Sequence, residues 1–179
     1  NNLYKHTQLQ DTFGAIMIAL VDGEPRVLSL KQMLHYYIEH RKDVVIRRTR
    51  FDLERAQARA HILQGLLLAL DHIDEVIHII RSSQDDSEAR GRLEERFGFT
   101  DKQSQAILDM RLRRLTGLEA DKLQAELDEL NERIAYFLRI LSDMGLVMQI
   151  IKDELAAVRE QYGDARRTEI LPVEGEVDM

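Results

Sequence analysis

The side chains with the chemistry to bind metal, move protons, attack a substrate or hold nucleic acid are six histidines, 32 acids, five tyrosines and 25 lysines and arginines. The histidines do not cluster. His35 and His40 are five apart and His72 and His78 six apart, whereas two ligands on one helix face need steps of three or four. No metal site is expected. Asp71, Asp74 and Glu75 lie close together, but charges are seldom buried unless paired, so they read as a solvated helix face. The glycines are isolated and no Gly-Lys-Ser/Thr run exists, so no phosphate loop is expected. A Gly-x-Ser-x-Gly nucleophile elbow is also absent. Two basic clusters remain. Arg41, Lys42, Arg47, Arg48 and Arg50 would be spread around a helix axis and read first as a solvated face. The functional alternative is contact with DNA or with a partner protein chain, through Arg41, Arg47 and Arg48. Arg111, Arg113 and Arg114 form a group too short to interpret from charge alone.

The elements that would position these residues are helical. Charged residues make up 32% and aromatics 6% of the 179 residues, with nine Gly and two Pro, the profile of long helices with solvated faces. The net charge of −7 argues against a free-standing duplex-DNA binder, because that affinity comes largely from cations that displace condensed counterions. There is no Cys for disulfides or thiolate metal sites, which suits a reducing compartment. No apolar run approaches the ~20 residues of a membrane span. The opening Asn1-Asn2-Leu3-Tyr4-Lys5 has no signal-peptide pattern and no initiator Met, so a piece of a larger protein is expected.

Residues 13–28 are β-rich, with Ile16, Ile18 and Leu20 alternating before an Asp22-Gly23 turn, and predict a hairpin. A two-stranded hairpin is marginal alone, so it should pack on helices or complete a larger sheet. From Leu30 the period becomes helical. Leu53, Ala56, Ala60, Leu63, Leu67 and Leu70 step by three and four along one seam, within a helix of about 40 residues or ~60 Å. A second seam alternates four and three over more than five heptads: Leu123, Leu127, Leu130, Ile134, Phe137, Leu141, Met144, Met148, Ile151, Leu155, Val158 and Tyr162. A capping box at Thr116-Gly117-Leu118-Glu119 opens it. Gly145 lowers helix stability and Ser142 can cap, so a kink or break is expected there.

Between the seams, short helices are predicted, one starting at the Thr100-Asp101-Lys102-Gln103 capping box after Phe97-Gly98-Phe99. Two long helices entering and leaving a small domain will run antiparallel. The expected fold is therefore mainly α: a long antiparallel two-helix coiled coil carrying a small all-helical dimerisation knob, with a short N-terminal β-hairpin. The expected divisions are a hairpin segment over 1–29, a first arm over 30–70, a knob over 71–117, a second arm over 118–162 and a linker over 163–179. In a helix over 101–114, Leu108, Leu112 and Leu115 would face the knob's core, while Ile107 and Met110, with Arg111 and Arg114, would lie towards another side, where the two apolar residues need cover. The plainer alternative is that Ile107 and Met110 touch neighbouring short helices.

Several longer words also stand in order along the chain: Asn1-Asn2-Leu3-Tyr4 with Thr7-Gln8-Leu9-Gln10, Glu39-His40-Arg41-Lys42 with Arg47-Arg48-Thr49, and Arg59-Ala60-His61-Ile62-Leu63 with Gly65. Gln105-Ala106-Ile107-Leu108-Asp109-Met110-Arg111-Leu112, Arg114-Leu115-Thr116-Gly117-Leu118-Glu119 and Tyr162-Gly163-Asp164-Ala165-Arg166-Arg167-Thr168-Glu169-Ile170 follow. Together they resemble the DNA-cleaving chain of bacterial type II topoisomerases, and the chain is more similar to the gyrase branch than to the topoisomerase IV branch. Relative to some gyrases, the stretch between Ser83 and Phe97 is short.

The resemblance implies the end of the tower, the coiled-coil arms and the exit gate of an A2B2 enzyme. Such an enzyme passes one duplex through another and introduces negative supercoils, using ATP hydrolysed in its gyrase B component. It also implies a homodimer through the knob, with Ile107, Met110, Arg111 and Arg114 at the two-fold contact, double-stranded DNA as the parent's substrate, no membrane, and the bacterial cytoplasm. This stretch would hold no cofactor; Mg and ATP would act through other domains and gyrase B. The family's catalytic tyrosine lies in an Arg-Tyr motif that does not occur here, so Tyr4, Tyr36, Tyr37, Tyr136 and Tyr162 are not nucleophile candidates and the stretch alone should be inactive. Composition and heptads by themselves leave open a helical-hairpin scaffold that binds a partner helix and a helical nucleic-acid binder with strongly salt-dependent affinity.

Overall fold

Ser29, at φ −70° and ψ 160°, starts the longest element: its hydroxyl accepts from the Gln32 backbone N–H while the Gln32 side chain accepts from Ser29 N. This reciprocal cap satisfies donors that a helix start otherwise leaves unpaired. A computed structural model describes residues 2–111 and 117–170, apart from the side chain of Leu118. The elements in order are α1 (Asn2–His6), β1 (Ile18–Val21), β2 (Glu24–Val27), α2 (Leu30–Asp71), α3 (Ile73–Ser82), α4 (Asp86–Phe97), α5 (Asp101–Leu108), α6 (Gly117–Ser142) and α7 (Met144–Tyr162).

The hairpin pairs Ile18 with Val27 and Val21 with Glu24. Its turn places Asp22 at φ 54° and Gly23 at φ 82°, the left-handed pair that a two-residue hairpin loop requires. Ile16 lies outside the ladder, and Ile18, Leu20 and Val27 stay exposed.

With 42 residues α2 is roughly 63 Å long, and α6 pairs with its outer half antiparallel. Arg59 meets Glu126; fourteen residues back along α2 and fourteen on along α6, Val45 and Ile140 share one core. Ala56, Ala60, Leu63, Leu66 and Ala69 of α2 bury against Leu123, Leu127 and Leu130 of α6. The alanines keep the helices close, and Leu63, at 0% exposure, fills the space between them. This core continues into the knob through Val76, Ile79, Leu93, Phe99 and Ile107.

The short helices are punctuated as the sequence expects. Gly98 ends α4 at φ 71°, its N–H donating to the Glu94 carbonyl, and the Phe97 and Phe99 rings stack 5.3 Å apart across it. Thr100 and Gln103 form the capping box of α5. That helix stops at Leu108, short of the expected 114, and Asp109 caps it. Arg114 and the Thr116 capping hydroxyl fall outside the described residues, as do Leu112, Leu115 and the Pro172 turn.

The second seam does not run on to Tyr162. The chain breaks at Asp143, not at a Ser142 cap: the Asp143 side chain accepts from Gly145 N at 2.8 Å, and α7 leaves α6 at 103°. One non-helical residue resets the phase. Ile140, Val147 and Ile151 are buried, Leu141 and Met148 only half so. Met144, Leu155, Val158 and Tyr162 are exposed. A heptad stripe stays on one line only while its helix is continuous.

Candidate functional site

Two places concentrate the residues singled out from the sequence: the joint of knob and arm, and the base of the arm. At the joint, Gln103 anchors α5 to α2. Its Oε1 accepts from Thr100 N at 3.0 Å and its Nε2 donates to the His61 carbonyl at 2.7 Å. His61 Nε2 and Thr100 Oγ1 add a hydrogen bond of 2.7 Å. Gln103 lies against Gly65, where even a Cβ would come within 2.7 Å of it. An amide in such a contact satisfies two elements at once, and in a dry contact each of those bonds matters more than it would in water.

Beyond this joint, Met110 is half-buried and Arg111 exposed. Together with Arg59, Ile62, Leu66, Ala106 and Asp109 they line one hollow. Ile107, expected near a two-fold axis, is 2% exposed within the single chain. It belongs to the knob's own core, and Met110 packs partly against the same core, as the plainer alternative expects for the two residues. The helix that carries Ile107, α5, packs on both α2 and α4.

Of the expected seam residues, Ala56, Ala60, Leu63, Leu123, Leu127, Leu130 and Ile151 are buried. Leu53, Leu67, Ile134, Phe137, Leu141 and Met148 are intermediate, and Leu155 is exposed. At the base of the arm, the arginines read as possible DNA contacts face carboxylates of their own chain. Arg41 and Arg48 both bind Glu154 of α7, the latter at 2.7 Å, and Arg47 pairs with Asp43 at 2.8 Å. The Arg48 hydrogen bond, with the charges of Arg48 and Arg41, holds the Glu154 carboxyl below its ordinary value of 4.5 against the opposing effect of burial. The Arg41 Nε is buried without a partner among the described residues.

Sequence reading missed Glu154 and Val147, and it missed the bond of Gln103 to the His61 carbonyl and its contact with Gly65. Arg41 and Arg48 are seven apart, two turns on one face, which hints at a shared acid without saying which of 32 it is. Among the described residues no group of three or more His, Asp or Glu is placed to hold a metal ion, and no single helix is long and apolar enough to cross a membrane.

The described residues thus form a paired-helix arm with a helical knob on its end. The family of the DNA gyrase/topoisomerase IV A protein matches residues 1–156, and the chain belongs to it. It is 59% identical over 171 residues to the DNA gyrase A protein of Streptococcus pneumoniae, covering 96% of this chain and 21% of that protein. Identity to the DNA gyrase A protein of Deinococcus deserti is 56% over 177 residues, covering 99% of this chain and 22% of that protein. For that of Clostridium acetobutylicum it is 54% over 179 residues, 100% of this chain and 22% of that protein. The chain thus spans about a fifth of the length of the curated relatives it matches.

Proposed function

We propose that this chain is the arm and exit gate of a gyrase A protein: a non-catalytic module that holds two copies of the parent together beneath the DNA-cleaving core. The carrying observation is mechanical. The knob sits at the end of a helix of 42 residues, anchored to it through Gln103 and the shared core, so a contact made at the knob is held at a distance from everything at the arm's base. Two such arms joined at their knobs enclose a space, and a duplex leaves it when the knobs part.

Cleavage, ATP hydrolysis with Mg, and supercoiling then belong to other parts of an A2B2 parent in the bacterial cytoplasm, with double-stranded DNA as its substrate. The chain's charge of −7 supports the reading too, since an acidic wall repels a passing duplex instead of holding it.

Sedimentation equilibrium with small-angle X-ray scattering of the chain tests this. The expected result is a two-fold dimer joined at the knobs with its arms spread. A monomer at high concentration, or a bundle joined along the arms, overturns it; the bundle is what an adaptor of the helical-hairpin kind would form.

A further inference from the structure

The two ends of the arm are held in different ways. At the knob, α5 is tied to α2 by the close Gly65–Gln103 contact, by the Gln103 bond to the His61 carbonyl and by the larger of two cores. At the base, α7 is joined to α6 by one non-helical residue, Asp143, in extended geometry at φ −127° and ψ 104°. The core beneath α7 has only Val45, Ile140, Val147 and Ile151 fully buried. Val147 and Ile151 sit in the first turns of α7, close to the pivot. Farther out, Leu155, Val158 and Tyr162 are exposed, and the polar contact that reaches across to α2 is Glu154 with Arg41 and Arg48.

We infer that the α6–α7 joint at Asp143 is a hinge, and that Glu154, gripping Arg41 and Arg48 together, is the latch that fixes its angle. The geometry favours this division of labour. Glu154 is eleven residues beyond Asp143, roughly 16 Å along the helix from the pivot, so a small rotation at Asp143 moves the carboxylate clear of both guanidinium groups. The cap keeps the break in place: Asp143 accepts from Gly145 N, and straightening α6 into α7 would forfeit that bond. A Cβ at Gly145 would lie 3.0 Å from the Asp143 Oδ1, so a side chain there would push the capping carboxylate outward by a few tenths of an ångström. With the latch released, α2, α6 and the knob move as one body relative to α7, because Arg59–Glu126 and the larger core tie α2 to α6. This hinge would operate whatever the knob binds.

The chain contains no cysteine, so spin labels at Glu132→Cys on α6 and Glu160→Cys on α7, both exposed, report the angle directly by double electron–electron resonance. The expected result is one narrow distance population that broadens or gains a second, shifted peak in Glu154→Gln and in the double variant Arg41→Gln/Arg48→Gln. Far-ultraviolet helicity should be unchanged in both. Arg59→Gln, which removes an ion pair between α2 and α6, should leave the distance as it was. Identical distributions in all variants overturn the hinge, as does equal broadening by Arg59→Gln. A loss of helicity on removing Glu154 also overturns it, because the carboxylate would then be holding the fold and not an angle.

Discussion

Gly65 of α2 lies directly beneath Gln103 of α5: a Cβ built on Gly65 would sit 2.7 Å from the Gln103 Cγ and 2.9 Å from its Cβ. These are the inner atoms of a side chain fixed at both ends of its amide, so it cannot swing aside. Gly65→Ala should therefore cost about 1–3 kcal/mol, the range of overpacked cores, despite adding a good helix former. Gly91, also inside a helix, has nothing within 4 Å of its would-be Cβ; Gly91→Ala should stabilise by about 0.5–1 kcal/mol. Urea unfolding of the two variants checks both signs.

The register along the end of α6 can be tested in the same way. The heptad count selects Leu141, but Ile140 is 3% exposed while Leu141 is half-buried. Ile140→Ala should cost about 2–5 kcal/mol and Leu141→Ala clearly less. In the larger core, Leu130→Asp would place an unpaired carboxylate at a buried site and cost several kcal/mol. Glu132→Gln on the exposed face should stay within about 0.5 kcal/mol. Equal melting temperatures for Ile140→Ala and Leu141→Ala would return the seam to its uninterrupted form.

That contrast marks what the sequence could and could not tell. Where one helix continues, as from Leu123 to Leu130, spacing alone finds the buried line, because period and burial are the same fact. The position of the break was readable from Ser142 and Gly145. The 103° turn was not, since it depends on which side of α2 accepts Val147 and Ile151. Gln103 looked like a local capping residue, as it is, but its second bond crosses to a carbonyl 42 residues earlier in the chain. Sequence neighbours carry no mark of such a contact. Ile107 turned inward because α5 packs on two neighbours, α2 and α4, which spacing within one helix does not reveal, and α5 has eight residues where 14 were expected. Shortening it left Met110 and Arg111 beyond its end.

Acid should weaken the base of the arm selectively. Glu154 has its carboxyl held below the ordinary 4.5 by the Arg48 hydrogen bond first and by the charges of Arg48 and Arg41. A carboxyl depressed in the folded state stabilises fully above its ordinary value, and that contribution is lost as pH falls from about 4.5 through the lower folded value. The stability gap between the wild type and Glu154→Gln should thus be present at neutral pH and shrink on acidification below that point. By comparison, the Arg59–Glu126 pair is nearly half exposed at both partners and should contribute only about 0.2–1 kcal/mol, less in salt. Parallel urea titrations at neutral and acid pH decide the matter: a gap that stays constant with pH would show that the Glu154 charge contributes nothing.

The knob's self-association should depend on Met110 and not on Ile107. Met110 lies just past α5, its backbone N–H donating to the Ile107 carbonyl at 3.1 Å, and its half-buried side chain lines the hollow with Arg111. A two-fold axis repeats every patch, so one new charge there appears on both partners and its cost is felt twice. Met110→Glu should shift sedimentation towards the monomer while helicity stays intact, because no helix contains it. Ile107→Glu should instead lose helicity, since at 2% exposure a charge there costs several kcal/mol of the knob's own stability. Arg111→Glu, an exposed change beside Met110, should weaken the dimer without disturbing the fold. If Met110→Glu remains fully dimeric at low concentration, the self-contact lies elsewhere on the knob. If the wild type is already monomeric at high concentration, the knob does not close a gate.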